Sequence, residues 1–187
     1  MPNDEGTPAP VAGAGVQKSN LASHNDTALL DVREVEEALL RGMLFYPADR
    51  LRGIADSLES KDFPDASHRR ILQVIHQAVH ALEDAGEGGR TVCPSLIKEA
   101  LLNAGDLEHQ VTAHVLLEVV TGNPPAWHDF KKLADTLRVQ RLRRLARDVG
   151  AELIAVSDHS VADLTAVLRR VDQLEHAARR AGLEVAA

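Results

Sequence analysis

Within the stretch Asp129–Val156, residues Phe130–Arg147 carry one uninterrupted helical pattern. Leu142, Leu145, Ala146, Val149, Leu153 and Val156 recur every three or four residues and line a single face. Arg141, Arg143, Arg144 and Arg147 fill the other faces. After Ser157-Asp158-His159-Ser160 a second stripe begins, made of Val161, Leu164, Val167, Leu168, Val171 and Leu174. Ser160 suits an N-cap, and Asp163 places a carboxylate in the first turn, where the helix dipole favours it. Two long helices joined by so short a turn form an antiparallel hairpin. A hairpin alone has too little core to stand. It must be the tail of a bundle or a surface for another chain.

The rest of the sequence supports an all-α fold. Apolar residues are chiefly Ala, Leu and Val with few aromatics, and no alternating strand pattern persists. At 187 residues the chain is about one domain and long enough to bury a real core. A net charge of −7 argues against whole-surface attraction to nucleic acid or anionic membrane. The charge is uneven, because Asp129–Arg147 holds seven Lys/Arg against two Asp. The lone Cys93 has no internal disulfide partner. No apolar run reaches membrane-spanning length and no secretory h-region is visible, so a cytoplasmic protein is expected.

In chain order, residues 1–28 read as a disordered arm with a Pro/Ala/Gly cluster at Thr7–Gly15. A helical globule is expected over 29–125. Asp31 and Glu34 form a capping-box-like start, followed by Val32, Val35, Leu39, Leu40, Met43 and Leu44 on one stripe. Pro47 ends this helix and opens a short one whose Leu51, Ile54, Ala55 and Leu58 face inward. Asp62-Phe63-Pro64-Asp65 is a turn, and His68–Ala85 is a strong helix stopped by Gly86-Glu87-Gly88-Gly89. Helices over Pro94–Ala104 and Val111–Thr121 follow, and Gly122-Asn123-Pro124-Pro125 breaks the chain. The hairpin then occupies 126–182, with a frayed end at 183–187.

This ordered series resembles the N-terminal domain of DnaB-type replicative helicases. The family's E-x-E-x-x-V-L-G-x-L-L is similar to Glu34–Leu44, with Pro47 after it. Its D-F-Y-x-x-x-H-R-x-I-x-x-A-I is similar to Asp62–Ile75, with Pro64 in place of the aromatic. Looser likenesses run through Thr91-Val92, Leu96, Leu101, Gly105 and Leu107, and through Pro125–Phe130 to Arg144-Leu145. The family's G-G-x-x-Y-L segment is replaced by His109–Leu117. The series stops where the family's linker helix and ATPase domain would follow. That implies a standalone domain, with an N-terminal fragment of a full helicase as the alternative. The resemblance further implies a domain that self-associates through its hairpins and gives primase a docking surface.

No motif specifies catalysis. A phosphate-binding G-x-x-x-x-G-K-[ST] loop is missing, and the cluster Gly86–Arg90 lacks the Lys-Ser/Thr pair and follows a helix. His76 and His80 lie one turn apart, but Gln77 stands where a zinc-hydrolase helix has its glutamate, and no third ligand is indicated. His68 reads as a structural residue near a helix start. Cys93 sits before Pro94 at a helix N-terminus without an identified base. No enzyme, cofactor or metal site is therefore expected.

Two surfaces remain. Leu142, Leu145, Val149, Leu153, Leu164, Leu168, Val171 and Leu174 are the candidate interface for a second copy, a replicative helicase or primase. Lys131, Lys132, Arg138, Arg141, Arg143, Arg144 and Arg147 are candidate contacts to nucleic acid or to a partner. The bland reading of these cations is a polar helix face paired with neighbouring carboxylates, and no aromatic interleaves them to stack on bases.

Overall fold

Seven α-helices carry the computed structural model, which describes residues 31–155 and 161–183, except the side chains of 161–164. The arm at 1–28, Val156, the turn Ser157–Ser160 with its N-cap, and 184–187 lie outside the described residues. The helices are α1 (Val32–Met43), α2 (Ala48–Ser57), α3 (Ala66–Asp84), α4 (Pro94–Asn103), α5 (Gln110–Val120), α6 (Trp127–Ala155) and α7 (Val161–Arg180). Short 3-10 turns occupy Ser60–Asp62 and Asp106–Glu108. No strand forms among the described residues beyond one isolated bridge between Pro47 and Thr91.

Local chemistry sets the helix ends. The Asp31 carboxylate accepts the Arg33 amide at 3.3 Å and starts α1. Asp65 does the same for α3, accepting from Ser67 and His68 at 2.7 and 3.0 Å. At the end of α3, Gly86 takes a left-handed φ of 73°. The Gly86 amide then reaches the Glu83 carbonyl and the Glu87 amide reaches Leu82, a Schellman closure that explains the glycine. The same loop has a second use. Its Arg90 and Gly88 carbonyls accept the Ala48 and Asp49 amides at 3.0 and 2.8 Å, satisfying donors at the start of α2 that Pro47 leaves uncapped.

The predicted α1 stripe is buried from Val35 through Leu44, and it packs on Ile71, Leu72, Ile75 and Val79 of α3. Ile97, Leu101, Val115 and Val119 close the globule from α4 and α5. Each fully buried Leu or Ile contributes about 1.5–3 kcal/mol. Arg41 donates to the Val119 and Glu118 carbonyls, both at 2.9 Å, and so covers the open C-terminal end of α5.

The apolar core crosses the break at Gly122–Pro125, where the sequence suggests a boundary. Phe130, Leu133, Ala134 and Leu137, the first turns of α6, are buried in the same cluster as α1 and α3. Tyr46, Trp127 and Phe130 meet here with ring centroids 5.1–5.8 Å apart, and the Tyr46 hydroxyl donates to the Pro125 carbonyl at 2.7 Å. The hairpin is thus rooted in the globule by its own first helix.

Candidate interaction surface on the hairpin

Above its root the hairpin closes on a short apolar seam. Val149 of α6 and Val167, Ala177 and Ala178 of α7 are buried. Leu142, Leu145 and Leu174 are half-buried. Three other expected interface residues lie outside the seam: Leu153, Leu168 and Val171 are 42, 59 and 37% exposed. The Leu164 side chain lies outside the described residues. Helical geometry explains the split, because one residue is a rotation of about 100°, which carries Leu168 away from the row of Val167. Ile154, 79% exposed near the tip, joins the outer surface and was missed because it falls off the α6 stripe.

The basic residues divide as well. Arg138 bonds the Ser57 hydroxyl and carbonyl and pairs with Asp135 at 2.7 Å. Arg141 donates to Glu59 at 2.6 Å and to Asp62 at 3.2 Å, and Arg144 donates to the Asp62 carbonyl at 2.9 Å. Arg180 of α7, which the sequence reading passed over, reaches the Asp62 carboxylate at 3.1 and 3.0 Å and the Ser57 carbonyl at 2.7 Å. Asp62 is fully buried. Burial pushes its carboxyl up, but the Arg180 hydrogen bonds, the Glu59 amide and Arg141 outweigh that and hold it below the usual range. Glu59 is held low by Arg141 and Arg180 against the same opposing cost of burial. Burial lowers Arg144, one of whose guanidinium nitrogens is buried without a partner. A groove of about 530 Å³ opens beside this cluster, with Lys61, Asp148 and His176 in its walls. Lys131, Lys132, Arg143 and Arg147 remain exposed, Lys132 lying 3.4 Å from Asp129. The sequence gives no local sign of the cluster, since Asp62 and Arg180 lie 118 positions apart.

A family model describing the DnaB-like helicase N-terminal domain matches residues 29–138, the globule and the root of α6. The chain belongs to that family. No curated protein and no solved structure matches it. Membership of the DnaB N-terminal domain family makes this a replication-helicase-related module. The match ends at Arg138, so most of the hairpin lies beyond the family-matched residues.

Within the DnaB-like globule, His68 is fully buried and its Nδ1 lies 2.8 Å from Glu36 Oε2. The pair ties α3 to α1, in keeping with a structural role for His68. The other Glu36 oxygen and His68 Nε2 are buried without partners. His76 is pushed below the ordinary histidine range by burial and by neighbouring His80, while His80 lies 3.1 Å from Asp56. Cys93 is exposed at the N-cap of α4, where the Ser95 hydroxyl, at 3.0 Å, and the Leu96 amide hold its thiol below the usual value. Among the described residues no group of three or more His, Cys, Asp or Glu could hold a metal ion. No helix among them is long and apolar enough to cross a membrane.

Proposed function

We propose that this DnaB-like domain is a non-catalytic interaction module of DNA replication, pairing through the outer face of its hairpin. The occupant of that face is a second copy of the chain, with the replicative helicase or primase as further partners. One observation carries the reading. Val149 and Val167 already close the intramolecular seam, yet Leu153, Leu168 and Val171 stay exposed beside it. Apolar side chains in excess of what the hairpin needs for itself are what a second apolar surface would cover. The basic face is the weaker candidate, because three of its seven cations are engaged by the globule.

Mass by light scattering, over a range of protein and salt concentrations, tests the pairing. Wild type is expected to run as a dimer or larger species. Leu153→Asp with Leu168→Asp, both at exposed positions, is expected to give a folded monomer. A wild type that is monomeric at every concentration would remove self-association and leave one-to-one binding to helicase or primase.

A further inference from the structure

Above Leu137 the buried apolar residues of the hairpin are separate from the core of the globule. Along α6 the continuous core ends at Leu137, and the buried seam residues Val149, Val167, Ala177 and Ala178 belong to no part of it. The two parts are joined above Leu137 by a polar cluster in which Arg138, Arg141, Arg144 and Arg180 hydrogen-bond to residues 57–62 of the globule, Glu36 adding its field at Arg144. Arg138 meets Ser57, Arg141 meets Glu59 and Asp62, and Arg144 meets the Asp62 carbonyl. From α7, Arg180 meets Ser57, Glu59 and Asp62.

The receiving segment holds its own shape. The Glu59 amide donates to the Asp62 carboxylate at 2.8 Å, one arm of a capping box around the 3-10 turn. The hairpin likewise keeps its seam and the Arg170–Glu152 pair. Above Leu137 the two parts meet through this polar cluster. What joins them is electrostatic and centred on one buried group.

We infer that Ser57–Asp62 is a releasable clasp, and that the Asp62 carboxylate sets whether the hairpin above Leu137 is docked on the globule or swung away from it. Within Ser57–Asp62 the four arginines face two carboxylates, Glu59 and Asp62; outside it Arg138 also pairs with Asp135, and Arg144 lies in the field of Glu36 and Asp148. Without the Asp62 charge, Arg141 and Arg180 are left beside each other with Glu59 alone, a half-exposed partner that water screens. Repulsion and the cost of buried unpaired guanidinium groups then favour undocking. A two-state attachment of this kind fixes the direction in which the outer apolar face points. The inference concerns a single chain and holds whether or not two copies pair.

Spin labels at the native Cys93 on the globule and at Ala151→Cys on the hairpin measure it, with labelled full-length chain diluted in unlabelled protein. With Asp62 intact the label pair is expected to give one narrow distance. Asp62→Asn, which keeps an acceptor for the Glu59 amide, is expected to add a second, broad population. Amide exchange in residues 174–180 should rise at least tenfold while α1 and α3 keep their protection. Arg180→Met leaves Asp62 with Arg141 and is expected to give the same change with a smaller second population. An unchanged distance in both variants overturns the inference. So does a loss of protection in α1 and α3 together with the hairpin, because Asp62 would then be an ordinary core group. Should Asp62→Asn fail to fold, Arg180→Met decides by the same two readouts.

Discussion

Gly42 is placed for packing rather than for backbone freedom. It sits inside α1, and a Cβ built there would lie 2.5 and 2.7 Å from two ring carbons of Phe130. Phe130 is fully buried and stacked against Trp127, so the ring has nowhere to retreat. Overpacking of this kind costs about 1–3 kcal/mol. The helical preference of alanine over glycine returns at most about 1 kcal/mol. Gly42→Ala is therefore expected to lower stability by about 1–2 kcal/mol. A urea melt followed by emission of Trp127, the single tryptophan, reads this directly. A midpoint equal to or above wild type would mean that the α6 root is looser than its packing shows. No sequence pattern points to this constraint. Gly42 and Phe130 meet only because α6 lies across α1, and helical spacing reports which residues face inward but not which of them touch.

At the scale of elements, the helices were legible because each stripe records a buried face. The α1 residues Val35, Leu39, Leu40, Met43 and Leu44 are buried as their spacing predicts. Polar residues were read less well. Asp62 looked like a turn residue and helical spacing singled out no role for Glu36, yet both are buried, each facing a partner from a distant element. Burial of a charge is decided by its partners. The Asp62 and Glu59 carboxyls, both held below the usual range, give hairpin docking a pH dependence of definite sign. A depressed carboxyl stabilises the fold fully above its unfolded value, about 3.9–4.3 for these types, and loses that contribution as pH falls through its native value. The stability difference between wild type and Asp62→Asn is expected to be constant above about pH 5 and to shrink in acid, starting below about pH 4. Thermal midpoints between pH 2 and 7 check it. A difference that grows on acidification would require a raised Asp62 pKa and would contradict the arginine cluster.

For the whole molecule, the remaining question is what the basic face of α6 does. Each phosphate neutralised contributes about −0.9 to the slope of log affinity against log salt. Had all seven cations of Asp129–Arg147 been available, that slope could reach roughly −6 on the same rule. The globule engages Arg138, Arg141 and Arg144, which leaves Lys131, Lys132, Arg143 and Arg147 exposed. Four phosphate contacts bound the slope at roughly −4. The formal charge of −7 opposes binding further, and Trp127 already stacks on Phe130 and meets Tyr46 edge-on. Any affinity for single- or double-stranded DNA is thus expected to be weak, with a slope no steeper than about −4. Arg143→Glu with Arg147→Glu should remove it while leaving the oligomer mass unchanged. Fluorescence anisotropy of labelled oligonucleotides across a salt series makes the measurement. A slope near −6 would call for cations beyond these four, either arginines that have left Ser57–Asp62 or the exposed Arg169 and Arg179 of α7. In the first case DNA binds the swung-out hairpin and Asp62→Asn, by releasing the same arginines, should tighten binding; in the second Asp62→Asn should leave it unchanged.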